Sequence, residues 1–242
     1  MGEIMKALLF AATLAAFVSS PTTAQDEFDV EEVIVTGSRI TDYRPEEIPA
    51  VTLPKRADFM IQKVRVISDT RKSDVRKEEI YATIFKLMEK AEKSNIFTLG
   101  TGEDYFVPLT KSNFKLQLQA HRHKPDTSLT HLLVKAALDQ KASANEISTS
   151  IKNFIKNAEI AGRTEVLPAG NLGLSIVRPE KYRKELIRKI AADARSAAEA
   201  FGSDYRITLK GLESPLQWER QGLDTMALFI PYEYDIVPVS GK

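Results

Sequence analysis

Three apolar stripes at helical spacing, separated by segments that alternate in twos, constrain this chain more than any other feature. A chain carrying both periods must pack helices against a sheet. After Ser73, read as an N-cap, the residues Ile80, Ile84, Leu87, Met88 and Ala91 recur at intervals of three and four. A second helix opens at Ser143-Ala144-Asn145-Glu146, a capping box in which the Ser and Glu side chains satisfy free backbone donors. Its apolar face is Ile147, Ile151, Phe154, Ile155 and Ala158, and Gly162 follows its end. A third begins at Pro179, a favoured first helical residue. It carries Tyr182, Leu186, Ile190, Ala194, Ala197 and Phe201, and Gly202 stops it. All three stripes read as core contacts, and the alanines of the third suggest close packing on a sheet.

Phe114, Leu116, Leu118 and Ala120 alternate with Lys115, Gln117 and Gln119, and Tyr205, Ile207 and Leu209 alternate with Arg206, Thr208 and Lys210. Each pattern predicts a half-buried strand with one wet face. Further strands are expected at 59–68, 105–109, 172–177, 216–220 and 225–237, with Pro231 marking an edge or bulge in the last. Residues 128–138 are ambiguous, because Leu129, Leu132, Leu133 and Ala136 also suit a helix. The fold class expected is α+β, an antiparallel sheet with about three amphipathic helices packed on it.

The first residues read differently from this body. Lys6 precedes an apolar run from Ala7 to Val18, and small and polar residues lead to Thr22-Thr23-Ala24. This is the layout of a secretory signal peptide over 1–24, cleaved after Ala24. The run falls short of the roughly 20 apolar residues of a spanning helix, and no later segment approaches that length. Residues 25–56 read as a tether, acidic at its start through Asp26, Glu27, Asp29, Glu31 and Glu32 and interrupted by Pro45, Pro49 and Pro54. Within it Val33, Ile34 and Val35 suit a short strand, and Gly37 a turn. The body is expected over 57–238, with a short tail at 239–242.

The phrase Glu31-Glu32-Val33-Ile34-Val35-Thr36-Gly37-Ser38-Arg39-Ile40 resembles the start of TonB-dependent outer-membrane receptors, where such a phrase precedes the plug domain. The likeness covers about ten residues. Length argues against a whole receptor: about 22 strands of roughly 10 residues each would consume the chain. The phrase therefore implies shared envelope context or a borrowed leader.

A second resemblance lies in the run from Tyr182 to Gly202, YRKELIRKIAADARSAAEAFG, which is similar to the signature helix of the SIMPL domain family. There an Ala-rich helix with a Lys/Arg beat ends in Gly and leads to a strand. The strand-like segment before it and the final Pro231-Tyr232-Glu233-Tyr234-Asp235-Ile236 fit as well. The likeness is best over 110–236 and extends over 58–238. The chain departs from it at Phe201 and over 92–112. The resemblance implies an exported envelope protein of SIMPL-like fold, without established enzymatic activity and with a tendency to form rings or larger oligomers.

Chemistry is sparse. Cysteine is absent, which removes disulfides, thiolate nucleophiles and Cys-based zinc sites. The net charge of +1 favours neither nucleic acid nor a charged membrane surface as partner. His121 and His123 share one face of an expected strand. If residues 124–128 are a loop, His131 falls opposite His121, and three imidazoles could hold zinc or copper. Gly100-Thr101-Gly102 lacks the following helix of a phosphate loop, and no Ser sits in a nucleophile elbow. Lys181, Arg183, Lys184, Arg188 and Lys189 read as a solvated helix face that could also meet lipid or another subunit. Trp218 reads as core or interface.

The expectation is a non-enzymatic periplasmic protein, with no catalytic residue and no cofactor, acting through protein contacts and self-assembling as a homo-oligomer. Two alternatives stand beside it. One is an accessory of TonB-linked uptake using Glu31–Ile40 to contact that machinery. The other is a metal-binding protein using His121, His123 and His131.

Overall fold

The structure, a computed structural model, describes residues 32–35, 48–103, 105–139 and 142–239, the first stretch as backbone only. The expected signal peptide and most of the expected tether lie outside these residues.

The architecture is α+β: antiparallel sheets with three α-helices, as the two periodicities predict. Its axis is one strand pair, β3 (Phe59–Ser68) with β7 (Ser128–Ala137), matched antiparallel over all ten residues of each. Residues 128–138 are thereby strand, not helix. Their local pattern suits both, and the partner across the sheet decides. Each member of this pair has two short strands laid end to end along its other edge. Beside β3 run β9 (Gly173–Val177), against Phe59–Ile61, and β8 (Thr164–Pro168), against Val64–Ser68. Beside β7 run β4 (Phe97–Thr101), against Leu133–Ala136, and β6 (Gln119–Ala120), against Ser128–Leu129. The outermost strands are β1 (Glu32–Val35), on β9, and β5 (Val107–Pro108), on β4.

Helices α1 (Ser73–Ser94) and α2 (Ala144–Lys156) cover one face of this sheet. Ile80, Ile84, Leu87, Met88 and Ala91 of α1, with Ile147, Ile151, Phe154 and Ile155 of α2, meet Met60, Val64, Val66, Leu132 and Val134 in a single core. The capping box forms as read: the Ser143 backbone N–H donates to the Glu146 carboxylate (2.8 Å), and the Glu146 backbone N–H to the Ser143 hydroxyl (3.2 Å). At the other end of α2, Lys90 donates to the carbonyls of Phe154 and Asn157, placing a cation where helix carbonyls lack partners. Ser73 does not cap α1. It lies inside the helix, and Lys72 precedes it without a side-chain cap bond.

A second sheet runs in the order β11 (Gln217–Arg220), β12 (Thr225–Phe229), β2 (Leu53–Arg56). Leu53, Leu216, Trp218, Met226 and Leu228 join the main core. The tether expected over 25–56 therefore contains two strands, β1 and β2. Pro54 is tolerated because β2 is an edge strand, where a missing N–H costs no ladder bond. Arg56 fastens β2 by pairing with Asp224 (2.8 Å) and donating to the carbonyls of Asp139 and Ala142.

The third unit is α3 (Arg183–Phe201), entered through a 3-10 turn at Pro179–Tyr182, with the ribbon β10 (Tyr205–Lys210) and β13 (Glu233–Pro238). The segment expected as one strand over 225–237 divides at Pro231: β12 serves the second sheet and β13 the ribbon. The segment 114–118 alternates between partly buried and exposed as expected but makes no ladder, which begins only at β6.

Replacing Ile151, fully buried, by Ala should lower stability by about 2–5 kcal/mol through lost packing and a residual cavity. Ser143→Ala, which removes one cap acceptor, should cost about 0.5–2 kcal/mol. Urea unfolding followed by circular dichroism measures both.

Candidate functional site

The two edges of the central pair are finished differently. Between β8 and β9 the joint is closed by the Gln62 amide, which donates to the carbonyls of Lys63 (3.0 Å), Ala169 (3.2 Å) and Gly170 (3.3 Å). Between β4 and β6 the β7 edge at Thr130–Leu132 has no strand beside it among the described residues. The Thr130 hydroxyl donates to the Gln117 carbonyl (3.1 Å) across this joint. A cavity of about 230 Å³ opens there, bordered by the Thr101-Gly102-Glu103 turn, by Leu116, Gln117 and Gln119, and by Lys63 and His131. Gly102 makes the turn possible: its φ is +118°, and a Cβ would sit 1.9 Å from the Tyr105 carbonyl oxygen.

The cavity lies on the sheet face that α1 and α2 leave uncovered. Residues pointing there alternate with the core residues of β3 and β7: Ile61, Lys63, Arg65 and Ile67 from one, Leu129, His131, Leu133 and Lys135 from the other. Phe106 folds over part of this face against Ile61 and Leu133. Lys135 is buried between the Phe59 and Phe106 rings, at 4.3 and 4.0 Å from their centroids. His131 stands directly across from Arg65. Burial, then the charges of Lys63 and Arg65, hold the His131 imidazole below its ordinary proton affinity, against a smaller opposing pull from Glu103.

The three histidines do not converge. The pairing of β6 with β7 sets Gln119 opposite Leu129, so His131 aligns with Gln117, while the His121 backbone N–H donates to the Thr127 carbonyl (3.0 Å). His121 and His123 stay together, with ring centroids 6.4 Å apart and His121 Nδ1 accepting from the His123 backbone N–H. Among the described residues no group of three or more His, Cys, Asp or Glu could hold a metal ion. The expected metal set fails because the chain turns two residues earlier than the loop over 124–128 assumes, so that Thr127 and not His131 stands opposite His121.

A second polar cluster gathers where β3 ends and α1 begins. The Glu79 carboxylate accepts from Ser68 (2.8 Å), Thr70 (2.7 Å) and the Arg163 backbone N–H (3.3 Å). Burial pushes its proton affinity up, but the bonds from Thr70, Ser68 and Arg163 together hold it below the ordinary carboxylate value. Beside it Arg163 grips Asp69 through two bonds of 2.6 and 2.8 Å, and this pairing lowers the Asp69 carboxyl. The adjoining open cleft, about 660 Å³, mixes charges of both signs: Asp69, Arg71, Lys124, Asp126, Arg163 and Glu165. Glu79 fastens the α2–β8 loop to α1, which is structural work. Sequence reading missed this cluster because Arg163, which ties it together, lies 84 residues from Glu79 in the chain.

The third feature is the end of α3. Leu186, Ile190 and Ala194 are buried, but the stripe then runs out: Phe201 is 59% exposed. Its ring lies 5.9 Å from that of Tyr205, itself exposed, and Tyr234 and Val239 are exposed on the same ribbon. Of the basic helix residues, Arg183 turns inward to the carbonyls of Leu212 (2.6 Å) and Ser214 (2.8 Å), while Lys184, Arg188 and Lys189 remain exposed. Trp218 is buried. Among the described residues no helix is long and apolar enough to cross a membrane.

Two acid-sensitive steps are expected. The depressed His131 contributes stability that is complete above its ordinary value of 6.5 and is lost as pH falls toward its lower folded value. His131→Gln should flatten that part of the stability profile. Glu79→Gln should destabilise the chain by about 1–3 kcal/mol at neutral pH. Its deficit should shrink once pH falls through the carboxylate range, because wild-type Glu79 then protonates too. Urea midpoints across pH 3–8 read both. Compared with protein-family models, curated proteins and solved structures, the chain has no significant match.

Proposed function

We propose that this protein is a non-enzymatic component of a bacterial cell envelope that acts through protein contacts and assembles with copies of itself. The observation that carries this reading is the α3 end with its ribbon. A two-stranded ribbon is marginal alone and needs a third strand or a packed helix. Here α3 covers only one side, and neither β10 nor β13 has a further strand partner among the described residues. Phe201 and Tyr205 add an exposed aromatic cluster at one end of the ribbon, and Tyr234 is exposed four residues further along it. Two-fold pairing with a second copy would extend the ribbon and cover the cluster, since an isologous contact offers each edge its own complement. The opposite ribbon face, with Arg206, Thr208, Lys210, Glu233 and Asp235, is suited to water. The export-type start and the Glu31–Ile40 phrase support the envelope as its setting, and the SIMPL resemblance of 182–202 agrees with self-assembly.

Sedimentation of the purified chain should give a discrete oligomer at micromolar concentration. Phe201→Glu combined with Tyr205→Lys should weaken association by at least about tenfold, one buried aromatic being worth about 1.5–3 kcal/mol. Circular dichroism controls for folding. A monomeric wild type would end the self-assembly reading. Crosslinking in the native envelope tests the setting: capture of TonB or an outer-membrane receptor would favour the uptake accessory instead, with Glu31–Ile40 as the segment to delete.

A further inference from the structure

We infer that the open joint on the β7 edge is a binding site for a small oxyanion, a molecule bearing a carboxylate or phosphate group, held by Lys63 and His131 with Arg65 as the neighbouring cation. The site lies on the main sheet, away from the ribbon proposed for assembly, and does not depend on that proposal.

Placement comes first. Lys63 and Arg65 are two residues apart on β3 and so share a face, and His131 is the cross-strand neighbour of Arg65. Two permanent cations and an imidazole thus meet on half-buried positions of the uncovered face. Like charges set side by side on a sheet destabilise it. Some other cations on the chain are matched: Arg56 with Asp224, Arg163 with Asp69, Lys210 with Asp235. Among the described residues neither Lys63 nor Arg65 has an ion-pair partner within bonding distance.

The second observation is independent of charge counting. The Nε donor of Arg65 is shut off from solvent and meets no acceptor among the described residues. Buried donors are nearly always satisfied, because an orphan forfeits its hydration without return. Arg65 does not itself line the cavity, so its unneutralised guanidinium acts on an anion there as an adjoining positive charge.

The third is space. Lys63 and His131 line the cavity of about 230 Å³, together with Gln117, Gln119 and Thr101, whose side chains supply neutral hydrogen-bonding groups. That volume suits a small molecule and excludes a folded partner. Among the described residues Glu103, at the rim, is the one carboxylate on the cavity wall. It offsets part of the positive charge, so the site suits a compact anion. The chain's net charge of +1 argues against an extended polyanion on this face.

The chain has three histidines, so its imidazole NMR spectrum has three sets of signals and reports the site directly. The full chain is titrated with inorganic phosphate, with succinate, and with sodium chloride at matched ionic strength. Expected is a saturable shift of the His131 signals alone, complete at millimolar phosphate or succinate, with a rise in the His131 titration midpoint as the bound anion offsets Lys63 and Arg65. Saturation by phosphate alone assigns a phosphate-type ligand, and by succinate alone a carboxylate. Arg65→Gln and Lys63→Gln should each weaken binding at least about tenfold. Shifts that chloride reproduces, that His121 and His123 share, or that fail to saturate would mean screening only and overturn the site. So would an unmoved His131 in folded wild-type protein. The oligomeric state, measured on the same samples, reports on assembly separately.

Discussion

Everything in this molecule hangs on the antiparallel match of β3 with β7. Ten residues face ten, and the core side of that pair, Met60, Val64 and Val66 with Leu132, Val134 and Ala136, is the floor on which α1 and α2 rest. The period of two then forces a consequence. Any residue alternating with those core positions must emerge on the opposite face. Lys63, Arg65, His131 and Lys135 are there because Val64, Val66, Leu132 and Val134 are not. A slip of one residue would bury the cations under the helices, at a large desolvation cost. The same register that builds the core therefore concentrates positive charge on the face without helices.

The short flanking strands show how one sheet can be sealed on one side and left open on the other. Both edges of the central pair carry a joint between two strands laid end to end. Gln62 closes one with three donations from a single amide. The other is bridged by Thr130 donating to Gln117 and keeps a cavity. Unpaired strand backbone is costly unless something else satisfies it. The fold has spent its polar side chains unequally, and the open joint lies beside the unmatched cations.

Much of the architecture was legible locally. The capping box at Ser143, the stripes of α1 and α2, Gly202 at the end of α3 and the span of β3 all follow from spacing or cap chemistry, which act within one or two turns of chain. Where local signals failed, a distant partner had decided. Residues 128–138 carried spacing fit for a helix and became a strand between β3 and β4. Pro54 signalled a tether and became part of an edge strand, because the lost N–H faces no partner there. The stripe of α3 promised burial to Phe201, yet the ribbon beneath it is too narrow to cover the last turn.

The sequence by itself determined the fold class, the helices and most strands, and the absence of thiol chemistry, because hydrophobic period, capping and composition are properties of neighbouring residues. The tertiary structure alone decided which charged groups meet. A loop over 124–128 would have set His131 opposite His121; it stands across from Arg65 on β3, because register between segments some seventy residues apart is set by burying the whole pair at once. Glu79, Ser68, Thr70 and Arg163 likewise share one cluster without any common motif. Periodicity says which face a side chain takes; only the packed sheet says what lies across from it.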